Sequence, residues 1–259
     1  MPAQSLLVLV SDLLRLNKQP PLTPQHDEDT RKLPVVPEQN LHSDIDAQRR
    51  DNGFLSLSDT MALTQTGNTV LDPFSTLISI HAKIGTDNVF YPNVTVRTDM
   101  SAAVRIRNSN TFYPMTYIEA SGPDHDSLQN ATQEKGCGII EIGSGNQFGP
   151  EGGVTIKANT PDTRIEIGDN GRYLAGPILL GTSTFGDGTQ VLGSITVQNC
   201  ILAPGEPFSG QDPDLRAAVV KGRGLIRNQT IHTGKVAVIG EVLSEITLHD
   251  QSYFHPKKR

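Results

Sequence analysis

The chain has 259 residues, 36% of them hydrophobic and 5% aromatic, with no tryptophan and a net charge of −6. That apolar content is thin for a layered globular core but sufficient for a solenoid, which buries narrow stacks of aliphatic side chains. The negative balance and the absence of a basic stripe exclude an electrostatic nucleic-acid binder. The two cysteines, Cys137 and Cys200, exclude a disulfide scaffold and lack metal-ligand spacing.

In chain order, the first element is "SLLVLVSDLLRL", which ends at Leu16. It has no basic region before it, contains Asp12 and Arg15, and is too short to span a bilayer, so neither a signal peptide nor a membrane span is expected. Leu6, Leu7, Val10, Leu13 and Leu14 fall at helical spacing, which predicts a short amphipathic helix within residues 1–16. Residues 17–68 begin polar and proline-bearing ("NKQPPLTPQHDEDTRKLPVVPEQN") and are expected to form a flexible linker.

From Thr69 the texture changes to Gly, Asn, Asp, Thr, Val and Ile. One phrase recurs: "AKIGTDNVFYP", "VRIRNSNTFYP", "IEIGSGNQFGP" and "IEIGDNGRYLAG". Each has an aliphatic anchor and an aromatic six residues later, at Phe90, Phe112, Phe148 and Tyr173. The step of six continues through Ile167, Tyr173, Leu179, Phe185, Val191, Val197 and Ala203, with earlier runs at Ile78, Ile84, Phe90, Val96 and at Ile142, Phe148, Val154. Helices favour apolar steps of three and four and plain strands steps of two, so a step of six predicts hexapeptide β-helix coils. Aliphatic residues two before the anchor, such as Ile165, Ile195 and Ile201, are expected to face inward too. The aromatics should stack inside the coil. Asn88, Asn110, Asn146 and Asn170 are expected at the corners, where a left-handed backbone is needed.

The frame is interrupted after Val96, at 119–138 and at 157–163, and such insertions should emerge as loops on one face. Residues 69–205 are therefore assigned to the β-helix. Residues 206–259, with "AVVKGRGLIR" read as strand, glycine-containing turn and strand, are assigned to a C-terminal cap that covers the last coil.

These features resemble the left-handed β-helix superfamily of UDP-N-acetylglucosamine O-acyltransferase and other hexapeptide acyltransferases. The resemblance covers about Ile78 to Ala203 and rests on the step of six and on "TRIEIGDN". It implies a single-stranded, left-handed parallel β-helix, so that with the segments read above the expected fold is all-β: that β-helix with protruding loops, a flexible N-terminal extension carrying a short helix, and a C-terminal cap. It also implies a histidine acting as general base toward an acyl thioester. Of the seven histidines, only His81, in "ISIHAKIG", lies within a coil, and His125 lies in the long excursion, so these two are the candidate bases. No zinc triad, phosphate loop or Ser-His-Asp pattern is present, and neither a metal nor a cofactor is expected.

The order of features is similar to that of the small β-helix subunits of the dynactin complex, especially subunit 6, which are regarded as non-catalytic. With no histidine from Ile142 to Ala203, the favoured expectation is a non-catalytic, cytoplasmic assembly subunit or adaptor. Its contacts would run through Leu6, Val10, Leu13 and Leu14 to protein partners, with no nucleic acid involved. The alternative is an acyl-CoA or acyl-carrier-protein dependent acyltransferase working as a homotrimer.

Overall fold

The computed structural model describes residues 38–122, 136–240 and 246–255. The proposed contact residues Leu6, Val10, Leu13 and Leu14, and the candidate base His125, lie outside these ranges.

From Thr69 the chain winds as a three-sided parallel β-helix, the hexapeptide form that the step of six predicts. Each coil strand lies in register on the strand one coil earlier, building sheets of eight, seven and seven parallel strands, and one antiparallel strand extends the first sheet to nine. Side one runs from Thr69–Val70 to Lys235–Ile239, side two from Leu77–Ile78 to Gly224–Arg227, and side three from Lys83–Ile84 to Thr230–Ile231. Strands this short place one or two side chains inward and the rest outward. Ile167, Tyr173, Leu179, Phe185, Val191 and Val197 are all buried in one continuous core.

Register also stacks the aromatics. Phe90, Phe112, Phe148 and Tyr173 are fully buried one above another on side one. Their ring centroids are 5.1, 5.0 and 5.1 Å apart, and the ring planes are nearly parallel. That spacing is set by the distance between neighbouring strands, about 4.8 Å. Phe185 ends the stack edge-on to Tyr173 at 5.8 Å. Burial pushes the Tyr173 phenol well above its ordinary range, so it stays neutral, and its hydroxyl meets the Thr189 hydroxyl at 3.2 Å.

The asparagines behave differently from the corner role expected of them. Asn170 does adopt a left-handed backbone, with φ 58°, but at the other three corners that conformation belongs to Asp87, Ser109 and Gly145. Asn88, Asn110 and Asn146 instead turn their side chains inward and are buried. The Asn88 and Asn110 amide oxygens each accept the backbone N–H and the side-chain N–H of the asparagine one coil on. Each amide nitrogen also donates to the carbonyl of a corner residue, Arg107, Gly143 or Gly168. Asn68 starts this ladder. Gly171 ends it, donating its N–H to Asn146, because a Cβ there would crowd the Tyr173 ring and the Asn146 amide.

The step of six also slips twice. After Val197 the inward anchor is Leu202, five residues on, because Cys200 occupies the inward position above Ser183; Ile201 is exposed and Ala203 only half-buried. On side two the register anchor is Ile156, with Val154 buried at the preceding corner.

Both ends of the solenoid depart from expectation. Residues 38–66, placed by sequence in a flexible linker, form α1 (Glu38–Asp51), α2 (Leu57–Ala62) and a 3₁₀ turn (Leu63–Thr66). The local signal is an N-cap serine: the Ser56 hydroxyl accepts the Asp59 N–H at 3.0 Å and donates to the Asp59 carboxylate at 2.6 Å. Leu55 and Leu63 pack on the first coil and so cover its open end. Arg49 fixes α1 there, donating to the carbonyls of Leu55, Pro73 and Thr76 and to the Thr60 hydroxyl. Replacing Arg49 with Met leaves these buried acceptors unpaired, and a loss of about 3 kcal/mol is expected in urea unfolding, at about 1–3 kcal/mol per orphaned group.

At the other end, coils continue to Ile239 rather than stopping at 205. Val219–Gly222 and Gly224–Arg227 are not a hairpin; they lie on sides one and two of the same coil, each parallel to the strand before it. Gly222 turns this corner at φ 121°, where a Cβ would collide with the Ile239 carbonyl. The cap proper is the strand Ile246–Asp250, antiparallel to Lys235–Ile239, followed by α3 (Gln251–Phe254). No described helix is long and apolar enough to cross a membrane.

Candidate functional site

All three excursions of the first coils leave from one corner, between side two and side three. They follow Thr98, Ala120 and Ala158, the last residues of successive side-two strands. His81 occupies the same corner one coil earlier, between Leu77–Ile78 and Lys83–Ile84. The chain leaving α1 forms the opposite wall: Phe54 bridges to Ser79, and the Ile80 N–H donates to the Gly53 carbonyl at 3.0 Å. Between them lies an open cleft of about 730 Å³.

Four side chains give this cleft its chemistry. His81 is exposed, and its backbone is held by the Ser79 hydroxyl, which accepts the His81 N–H at 3.2 Å and donates to the Thr98 carbonyl at 2.7 Å. Asp99 accepts from the N–H and hydroxyl of Ser101 at 2.8 and 2.7 Å, and from the Gly122 N–H at 3.0 Å. Burial pushes its carboxyl up, but the hydrogen bonds from Ser101, Gly122 and Ala102 outweigh that and hold it below the ordinary carboxylate range. Asp99 is therefore an anion at neutral pH. Arg97 and Glu119 stand side by side on adjacent strands, and Glu119 pairs with Lys157 at 3.3 Å. The nearby Tyr117 phenol is raised first by burial and then by the Glu119 charge.

The cleft thus offers a solvent-accessible imidazole, a fixed carboxylate and a guanidinium on one polar surface. Such a set can take a proton from a hydroxyl or amine and hold the neighbouring polar groups of its carrier. Among the described residues no hydrogen bond holds the His81 ring itself.

Of the sequence candidates, the structure places His81 in this cleft. Arg97, Asp99, Ser101 and Glu119 were missed. The available signal was "RTDMS", an Asp followed two residues later by Ser, which forms a side-chain turn at the head of the first excursion. The other described histidines do not join it: His42 meets Phe74 edge-on at 6.1 Å, and His249 stacks on Tyr253 at 4.8 Å in the cap. Among the described residues no cluster of His, Cys, Asp or Glu is arranged to hold a metal ion. Cys137 and Cys200 are free thiols, and burial raises the pKa of Cys200.

No protein-family model and no curated protein sequence matches the chain. Several solved structures show some likeness. One is the polySia-specific acetyltransferase NeuO, at 9% identity and TM-score 0.33, covering 71% of this chain and 80% of that one. Another is the UDP-N-acetylglucosamine acyltransferase of Francisella novicida, at 15% identity and TM-score 0.36, covering 74% and 71%. A third is PerB from Caulobacter crescentus, solved with CoA and GDP-perosamine, at 13% identity and TM-score 0.29, covering 86% and 82%. The register of its own coils makes this chain a three-sided parallel β-helix with hexapeptide periodicity.

Proposed function

We propose that the protein is an acyltransferase that works as a homotrimer, with the cleft at His81 as its acceptor site and His81 as its general base. The observation that supports this reading is an exposed imidazole in a roomy polar cleft, at the corner where three excursions leave the coil. His81 would take the proton from an acceptor hydroxyl or amine as that oxygen or nitrogen attacks the thioester carbonyl. The carbon–sulfur bond then breaks, and the leaving thiolate takes the proton back from the imidazolium. Asp99 and Arg97 would orient the acceptor. The free thiols of Cys137 and Cys200 fit work in a reducing, cytoplasmic setting.

The test is thiol release from acetyl-CoA, and from longer acyl thioesters, in the presence of amino sugars and sugar nucleotides. The native chain should turn over, and His81→Ala should lower turnover by about 10²–10⁴-fold with an unchanged melting temperature. Full turnover by His81→Ala, or none by the native chain with any donor, would sink the proposal.

A second reading, a non-catalytic assembly subunit, is favoured by one observation. Leu71, Phe74 and Met115 are 53%, 59% and 66% exposed along the corner between sides one and two, beside the outward-stacked rings of Tyr91 and Tyr113 at 5.0 Å. Exposed apolar surface of this kind marks protein contact. Phe74→Glu with Met115→Glu should convert a homotrimer to monomers in light scattering. A native mass already monomeric, with heterologous proteins lost from co-purification by the double substitution, would favour the assembly subunit.

A further inference from the structure

A second pocket lies on side one, in the fifth to eighth coils, between the loop that follows Ala203 and α3. Its volume is about 250 Å³. Its floor is built by register: Arg172, Gln190 and Val219 stand on successive strands, with Leu192 and Lys221 forming the adjacent column. The loop adds Phe208 and Arg216, and α3 adds Phe254. Three permanent or near-permanent cations thus share one small pocket, and no carboxylate is among the described residues lining it.

How these cations are held shows what is missing. The Arg172 guanidinium lies over the Phe208 ring at 4.1 Å, and Lys221 lies over the Phe254 ring at 3.1 Å from the centroid. Arg216 turns Nε and Nη2 onto the Gly210 carbonyl at 2.9 and 2.7 Å. Aromatic faces and one carbonyl soften the positive charge but do not neutralise it. Arg172 Nε is fully buried without a hydrogen-bond partner, the one such side-chain nitrogen or oxygen among the described residues. A buried donor left unpaired is destabilising, and more so when it is charged. Burial also lowers the Lys221 pKa, the sign of an ammonium short of counter-charge.

We infer that this pocket binds a phosphate monoester, its dianionic head held by Arg172, Arg216 and Lys221 and its organic part resting against Phe208 at the mouth. The chemistry follows from the donors. Guanidinium groups bind phosphate oxygens through paired N–H donors, and a lysine adds a point charge. Phe208, 47% exposed, gives the ester's organic group an apolar surface. The pocket begins four coils beyond His81 and on another side of the prism, about 20 Å along the axis at about 4.8 Å per coil. It is thus separate from the proposed acceptor cleft and independent of that reading.

The test is isothermal titration calorimetry of the full chain with phenyl phosphate and with inorganic phosphate. Both should bind saturably, compete with each other, and weaken as salt is raised. Arg172→Gln and Lys221→Gln should each lose at least tenfold in affinity, Lys221→Arg should keep most of it, and Arg227→Gln, on side two, should change nothing. A melting curve for each variant separates loss of binding from loss of fold, and Lys221→Arg keeps the test decisive if Arg172→Gln does not fold. Tighter binding of phenyl phosphate than of phosphate supports the role of Phe208. Absence of saturable binding to the native chain, or equal affinity in the pocket variants and Arg227→Gln, overturns the inference.

Discussion

Phe148→Ala is expected to destabilise the protein by about 3–5 kcal/mol, the range for truncating a buried aromatic ring. Phe148 is fully buried between Phe112 and Tyr173, with ring centroids 5.0 and 5.1 Å away. The void left by the missing ring cannot close by settling of the coils. Their spacing is fixed by backbone hydrogen bonds on either side, from Tyr113 N–H to the Phe148 carbonyl at 2.9 Å and from Gly149 N–H to the Tyr173 carbonyl at 2.8 Å. A site that cannot relax sits at the costly end of the range. Tyr91→Ala is the comparison, because Tyr91 also stacks on a ring, Tyr113, at 5.0 Å but on the outer surface. It should cost about 1 kcal/mol, the usual worth of an aromatic pair. Equal losses for the two in urea unfolding would show that the inner stack carries no special weight.

Asn110→Ala is expected to cost about as much, although it removes far less apolar surface. The Asn110 side chain donates to the Asn88 amide and the Gly143 carbonyl and accepts two N–H groups of Asn146, all at 2.9–3.0 Å. Alanine leaves the Gly143 carbonyl and both Asn146 donors unpaired inside the corner. At about 1–3 kcal/mol for each buried orphan, the loss is of order 4 kcal/mol. Asn110→Asp tests the direction of the amide. The introduced carboxyl can still accept from Asn146, but when ionised it faces the Asn88 oxygen and the Gly143 carbonyl and has no proton to donate. Its folded-state pKa is therefore raised above the unfolded value near 3.9. A group raised in this way contributes stability that is present below the unfolded pKa and lost as pH rises through the folded one. Because a protonated carboxyl donates once where the amide donates twice, Asn110→Asp should recover part of native stability at about pH 3.5 and fall away toward pH 7. Thermal unfolding across that range reads the effect, and a flat difference from the native chain would mean the ladder does not depend on amide donors.

The aromatic stack and the asparagine ladder come from the same recurring phrase, yet only one was legible. An aromatic six residues after an aliphatic anchor has no other place to go in a coil whose inward positions recur every six residues, so the stack at Phe90, Phe112, Phe148 and Tyr173 follows from spacing alone. The asparagines share one position in three of the four phrases and sit one place earlier in the fourth, at Asn170. That offset separates an inward amide from a left-handed corner, and it decides the role of each residue. Asn68, in "TGNTV", carries the same mark and lies before the point where the repeat was taken to begin.

The amino-acid sequence by itself determined the period, the three-sided coil, the identity of most core residues and the corners where loops emerge. These are properties of a repeat in which each coil is the template for the next, so local spacing is sufficient. Tertiary structure decided the rest. The covering of the first coil by α1 depends on Arg49 reaching the carbonyls of Pro73 and Thr76, and the last coils depend on a glycine corner that reads equally well as a hairpin turn. The two candidate sites were likewise closed to spacing arguments. His81 meets Arg97, Asp99 and Glu119 only because side-two strands of different coils lie in register. Arg172, Arg216 and Lys221 share a pocket only because a loop and α3 fold back over side one. Which side chains converge depends on the lengths of the excursions and on where the chain ends return, and those are set by packing between distant segments, for which a six-residue period holds no information.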